Sequence, residues 1–226
     1  MTVASPDPLA SSQARELCAS YLRAQLGGNR REALRVILED GLQRGLSCLD
    51  AHEIIQQAQR EIGRLWQEDR ITIAQEHMAT AISQLVLSHV YQRADAPPSN
   101  GKAVLVACVE GELHDFPARL VADALDLAGF EVRYLGASVP PHGLLAMLDS
   151  ERPDLLVLSV TMAFNVPALR EAARQVRERH PSLPIAVGGG ACTWHSGLAA
   201  EVGAALAGKD AAELVQRARE LLGVAA

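Results

Sequence analysis

From about Ala10 to Gln92 the apolar positions recur at helical spacing, as in Leu34, Ile37, Leu38 and Leu42, then Ile55, Ala58, Ile62 and Leu65. A period of three to four residues stacks such side chains on one face of a helix, and no strand-like alternation interrupts it. The pattern predicts four helices. Asp50 with Glu53, and Thr72 with Gln75, have capping-box spacing, which marks two helix starts and keeps the intervening turns short. Short turns make neighbours antiparallel, so residues 1–93 are expected to form a four-helix bundle.

Residues 94–101 break this pattern with Pro97, Pro98, Ser99, Asn100 and Gly101, and read as a linker. Beyond it, strand-like apolar runs alternate with helical segments: Ala103 to Val109, Val132 to Leu135, Leu155 to Val160, Ile185 to Val187 and Ala204 to Leu206. Alternation of this kind predicts a Rossmann-like, doubly wound parallel sheet over residues 102–226, its strands buried on both faces and therefore unbroken in hydrophobicity. The expected fold class is α + α/β.

An apolar fraction of 49% in 226 residues fits two folded domains rather than a disordered chain. A net charge of −6, with Lys102 and Lys209 the only lysines, argues against direct binding of nucleic acid or an acidic membrane surface. Cys18, Cys48, Cys108 and Cys192 form no CxxC pair, so neither a zinc site nor a disulfide framework is indicated. Met1 to Gln13 lacks the basic start and apolar core of a signal peptide, and no run is long enough to span a bilayer. The expected setting is cytoplasmic, with reduced thiols.

Candidate chemistry gathers at the carboxyl edge of the expected sheet, where open α/β folds bind ligands. Glu112-Leu113-His114-Asp115-Phe116-Pro117 follows the first strand, Ser159 and Thr161 end the third, and Gly188, Gly189 and Gly190 follow the fourth. A metal-binding imidazole is usually oriented by a carboxylate, which Glu112 or Asp115 stands close enough to supply. Consecutive glycines let backbone approach a bulky ligand. No GxGxxG follows the first strand, which weighs against a nicotinamide site. Alone, His114 would read as an ordinary loop histidine.

Taken together and in this order, the three motifs resemble those of cobalamin-binding domains: acid-x-His-x-x-Gly, Ser-x-Leu or Ser-x-Thr, and Gly-Gly. The resemblance implies that His114 is the lower cobalt ligand, replacing the cofactor's own base, and that Glu112 orients it. Asp115 and Phe116 belong to the same binding loop. The displaced nucleotide tail is expected to run into the sheet between Ser159-Val160-Thr161 and Gly188-Gly189. Pro117 stands where the family has glycine. Proline suits the first turn of a helix, yet the tail passes where that glycine leaves room. Trp194 and His195 are read as loop packing, with the border of the tail or of a further chromophore as the alternative.

In the helical part, Trp66 falls near the end of the third helix and Glu76-His77 in the first turn of the fourth, where the helix dipole favours an ionised acid. Taken singly, the tryptophan reads as core and the glutamate as a solvated cap residue. The whole string Trp66 to His77 resembles the Trp-x9-Glu-His signature of cobalamin photoreceptors of the CarH, LitR and AerR type. It implies a bundle capping the upper face of the corrin, with Trp66 over the upper ligand and Glu76 and His77 bordering the same cavity. Gln67 replaces the histidine of CarH-type relatives, which excludes cobalt ligation from that position. The bundle starts almost at once, so the expected architecture is the free-standing, AerR-like one. It acts through a homo-oligomer or a partner transcription regulator or effector rather than as an enzyme. Expected cofactors are adenosyl-, methyl- or hydroxocobalamin. A similar layout in the photocobilins adds a bilin such as biliverdin, which the residues neither prove nor exclude. The alternative functions are a corrinoid shuttle of a methyltransferase system and a cobalamin store.

Overall fold

The computed structural model describes residues 12–95, 97–208 and 210–225. The segment containing Pro6 and Pro8 and the side chain of Lys209 lie outside the described residues. The chain divides into two compact units, Met1–Ala94 and Asp95–Ala226.

In the first unit the four expected helices are α1 (Ser12–Leu26), α2 (Arg30–Arg35), α3 (Cys48–Gln67) and α4 (Ile73–Tyr91). The apolar stripe of α3 behaves as predicted: Ile55, Ala58, Ile62 and Leu65 are buried, together with Ala51 and Ile54. That of α2 does not. The helix continues through a π turn, Val36–Gly41, and a 3-10 turn, Leu42–Arg44. The wider turn rotates the face, so that Val36, Ile37 and Gly41 are buried while Leu38 and Leu42 are only half-buried; in α2 itself Ala33 is buried and Leu34 half-buried.

One of the two capping assignments also needs correction. The cap of α3 lies three residues before the expected one at Asp50, because the Ser47 hydroxyl accepts the Asp50 N–H (3.0 Å) and itself donates to Asp50 Oδ2 (2.6 Å). The Thr72–Gln75 box is present as expected. Thr72 Oγ1 accepts the Gln75 N–H (3.3 Å) and Gln75 Oε1 accepts the Thr72 N–H (2.9 Å), which fixes Glu76 in the first turn of α4.

The second unit contains β1 (Ala103–Cys108), α5 (Phe116–Asp126), β2 (Glu131–Tyr134), α6 (Pro141–Glu151), β3 (Leu155–Ser159) and α7 (Val166–Arg179). It continues with β4 (Ile185–Gly188), α8 (Gly190–Trp194), α9 (Leu198–Glu201), β5 (Leu206–Ala207) and α10 (Ala211–Leu222). All pairings are parallel, in the order β2-β1-β3-β4-β5. Val104, Val106, Val157 and Ala186 pack with Ala118, Leu125, Leu214 and Ala218 of α5 and α10. Leu105, Leu156, Leu158 and Val187 pack with Leu144, Leu148, Leu169 and Val176 of α6 and α7. Each fully buried aliphatic side chain contributes about 1.5–3 kcal/mol, so the central strands form a stiff base for their loops.

Two expectations shift at the sheet edges. Strand β2 is not buried on both faces: Glu131 and Arg133 are exposed and Val132 and Tyr134 half-buried, as an edge strand allows. Strand β5 starts at Leu206 rather than Ala204, because the Ala204 N–H closes the preceding turn on the Ala199 carbonyl (2.7 Å). At the other end of the unit, Asn100 N–H bonds to the Gly129 carbonyl (2.8 Å) and Ser99 Oγ to Glu131 Oε1 (2.9 Å), so the later part of the Pro-rich segment is tied to the sheet unit.

From β1 the chain runs outward to β2 and returns on the other side for β3. The topological switch point therefore lies at the carboxyl ends of β1 and β3, where a crevice opens between diverging loops.

Candidate cofactor site

The loop after β1 is held at its base by the Val109 N–H on the Ser159 carbonyl (3.2 Å), and turns at Gly111, whose φ of 80° suits glycine. The turn sends Glu112 inward, where it is fully buried. Both its oxygens are engaged. Oε1 accepts the N–H of His114 (2.9 Å) and is 2.8 Å from His114 Nδ1; Oε2 accepts the N–H groups of Thr161 and Met162 and the Asn165 amide, each at 2.9 Å. Burial alone would raise this carboxyl's pKa. The hydrogen bonds, led by that of the His114 ring, outweigh it and hold the pKa down at about 2.

Glu112 is thus an interior carboxylate that ties the β1 loop to the β3 loop across the switch point. A carboxylate only accepts, so His114 Nδ1 carries the proton and, in the neutral ring, Nε2 carries the lone pair. The His114 side chain is 37% exposed. Of the two candidate orienting acids, Glu112 does this and Asp115 does something else. Asp115 precedes α5 and accepts the Tyr134 hydroxyl at its carbonyl (3.2 Å) and at Oδ2 (3.3 Å). Phe116 is buried as α5 begins, and Pro117 sits in the first turn, where its missing N–H costs nothing.

Ser159 ends β3 on the face that carries Val157, towards α5 and α10. Its Oγ is buried with only the weakly bonding Cys108 thiol as a neighbour to bond to, and Thr161 Oγ1 is buried without a hydrogen-bond partner. The neighbouring Cys108 thiol is pushed up to about 12, mainly by burial and then by the charges of Asp115 and Glu112. Leaving a buried hydroxyl unsatisfied costs about 1–3 kcal/mol, and a polar ligand reaching this point would recover it.

The three glycines divide by role. A Cβ on Gly189, which has φ 97°, would collide with the Val160 carbonyl, and one on Gly190 would meet Thr161 O at 3.1 Å. These two serve the close approach of their own loop to the end of β3. A Cβ on Gly188 would meet nothing within 4 Å, so this glycine alone opens onto space. Gly188 pairs in register with Ser159. The segments that follow β1, β3 and β4 at this sheet edge also expose large apolar side chains: Leu113 (73%), Phe164 (71%) and Trp194, the last residue of α8 (69%). Exposed apolar groups of this size are informative where they gather, since a solvated surface has no need of them.

In the first unit, the turn after α3 brings its last turn, with Trp66, beside the start of α4. Trp66 is half-buried and Gln67 exposed. The Glu76 side chain is 14% exposed and that of His77 66%. Glu76 Oε2 lies 2.6 Å from His77 Nδ1, and its Oε1 accepts the Thr80 hydroxyl (2.8 Å).

Sequence reasoning missed Asn165, Tyr134 and Thr80. Asn165 lies in a short 3-10 turn with no motif around it, and Tyr134 on an edge strand; only the folded topology brings them to Glu112 and Asp115. Thr80 carried a weak signal, its i,i+4 spacing from Glu76.

A histidine poised by a buried carboxylate at the switch point, two hydroxyls short of partners and one open glycine define a cobalamin-binding protein: a Rossmann-like domain preceded by a helical bundle. The chain belongs to the B12 binding domain family, whose model matches residues 102–216, and a second model also described as a B12 binding domain matches residues 13–91. Its cofactor is cobalamin.

Among curated relatives, dimethylamine corrinoid protein 1 of Methanosarcina acetivorans is 28% identical over 77% of this chain and 84% of its own length. The HTH-type transcriptional repressor CarH of Myxococcus xanthus is 28% identical over 60% of this chain and 45% of its own length. Among solved structures, the Methanosarcina barkeri monomethylamine corrinoid protein superposes with a TM-score of 0.77 at 21% identity, covering 92% of this chain and 99% of that one, which establishes the shared fold.

Proposed function

We propose that the chain is a cobalamin-dependent, light-responsive regulator in which His114 supplies the lower cobalt ligand and Trp66, Glu76 and His77 border the upper one. The observation that carries this reading is the Trp66-to-His77 string, with a capping box that fixes Glu76 and His77 beside the end of the tryptophan's helix. An alkylated cobalamin supplies a cobalt–carbon bond that light breaks.

This chain's residues do the rest. His114 Nε2 offers its lone pair, and Glu112 keeps the ring in one tautomer and raises its basicity. Asp115 and Phe116 anchor the loop to β2 and α5. Ser159, Thr161 and Gly188 take the nucleotide tail, with Gly189 and Gly190 shaping the loop that borders it. Trp66 packs over the upper ligand and excludes water from it. Gln67 offers no imidazole. Residues 1–93 act as the cap, 94–101 as the linker and 102–226 as the cofactor domain. Residues 1–93 would relay a change at the bound cofactor to self-association or to a partner regulator. A bilin such as biliverdin is an optional second chromophore.

The second reading, a corrinoid shuttle serving methyltransferases, draws support from the larger share of this chain matched by the dimethylamine corrinoid protein, 77% against 60% for CarH. The two readings separate in one experiment: absorption and size-exclusion profiles of the full chain loaded with adenosylcobalamin, before and after green light, alone and with Trp66→Ala. A light-driven change of size or shape that Trp66→Ala alters supports the regulator. Photolysis with an unchanged profile in both proteins supports the shuttle.

A further inference from the structure

Towards the end of the bundle that carries Trp66, Glu76 and His77, the interior is polar. Tyr21, Gln25 and Ser83 are fully buried. The turn after α1 lies at this end too, since a Cβ on Gly28 would meet Met78 Sδ at 2.9 Å. Buried polar side chains in a small bundle are costly unless joined to one another, and these are joined, apart from Gln25 Oε1, which has no partner. The Tyr21 and Ser83 hydroxyls are 3.2 Å apart, and Gln25 Nε2 donates to Ser83 Oγ (2.8 Å) and to the Ala79 carbonyl (3.3 Å). Ser83 Oγ donates to Gln59 Oε1 (3.0 Å), Gln59 Nε2 donates to Thr80 Oγ1 (2.5 Å), and Thr80 Oγ1 donates to Glu76 Oε1 (2.8 Å).

The direction of this ladder follows from its last member. A carboxylate accepts only, so Thr80 must donate its single proton to Glu76 and accept from the Gln59 amide. That turns Gln59 Oε1 towards Ser83, which donates to it and in turn accepts from Tyr21. Every hydroxyl proton then points towards Glu76. A glutamate near a helix start ordinarily samples several rotamers and loses that freedom only at an entropic cost. Here Glu76 is held at Oε1 by a ladder rooted in α1 and α3 and at Oε2 by its neighbour His77.

We infer that Gln59 and Thr80 are positioning residues for Glu76, fixing from inside the bundle the orientation in which its carboxylate meets the upper ligand. The inference rests on the upper-face role proposed above, and its test separates the two. The readout is the ratio of dissociation constants of the full chain for adenosylcobalamin and hydroxocobalamin in the dark, because losses of stability common to both ligands cancel in a ratio. Glu76→Gln sets the reference shift. Thr80→Val and Gln59→Met should move the ratio in the same direction by about fivefold, the effect of losing one hydrogen bond. Thr80→Ser, which keeps the hydroxyl, should return it to the wild-type value.

In the cofactor-free protein, the Gln59 side-chain amide protons should exchange with water faster in Thr80→Val than in wild type. A ratio that follows Glu76→Gln but ignores Thr80→Val and Gln59→Met overturns the positioning role and leaves the upper-face reading standing. A ratio indifferent to Glu76→Gln removes the upper-face reading, and this inference with it.

Discussion

Glu112 collects donors from two loops, the His114 ring and backbone on one side and Thr161, Met162 and Asn165 on the other. Removing it deprives all of them at once in a buried place. Glu112→Ala is therefore expected to destabilise the cofactor-free chain by about 3 kcal/mol or more, since each buried donor left without an acceptor costs about 1–3 kcal/mol. Urea denaturation measures it, and a loss no larger than that of a surface ion pair, about 1 kcal/mol or less, would show that the carboxylate does not join the loops. At this scale the sequence disclosed whatever was close in sequence. His114 and Glu112 are two residues apart, and their relation could be read directly. Asn165 reaches Glu112 across 53 positions, and only the pairing of β1 with β3 brings it there.

Among elements, the β4–α8 turn makes a prediction from two adjacent glycines. Gly189→Ala strains a φ of 97° and drives a methyl group into the Val160 carbonyl, so folding stability should fall by more than about 1 kcal/mol, the ordinary cost of a substitution. Gly188→Ala meets open space and should leave stability unchanged while weakening cobalamin binding, because its methyl group would stand beside Ser159 where the tail is expected. Thermal melts and a binding titration of both variants check this; a Gly188→Ala protein with wild-type affinity would move the tail elsewhere.

Helix α5 offers a test by pH. Asp123 is pushed up to about 6, first by burial and further by Asp126, with Arg119 opposing. A carboxyl whose folded pKa lies above its ordinary value of 3.8 is accommodated fully below about pH 4, and its favourable contribution is lost as pH rises through about 6. Asp123→Asn, neutral at every pH, should therefore gain melting temperature over wild type at pH 8 and gain less, or lose, at pH 4. An equal shift at both would contradict the assignment. Elements were legible where period and cap agreed, as in α3's stripe and α4's start. They were misread where a local device intervened: the π turn after α2, the Ser47 cap, and the turn that delays β5.

For the whole molecule, the order of helices followed by alternating strands and helices was visible in the chain because the two periodicities change abruptly at the proline-rich segment. The cofactor was visible because three motifs, each weak alone, occupy the carboxyl edge of one sheet in the right order. The geometry at that edge depends on a fold-wide fact that no motif states, that the chain reverses its winding between β1 and β3.

The central claim is that this switch point presents His114 to cobalt. The most direct measurement is the electron paramagnetic resonance spectrum of the full chain loaded with cob(II)alamin, prepared with natural and with 15N-labelled histidine. Coordination by His114 Nε2 predicts a triplet superhyperfine pattern that becomes a doublet on labelling and disappears in His114→Ala. A pattern that ignores the label in wild-type protein would mean that the cofactor keeps its own base, and would contradict the account.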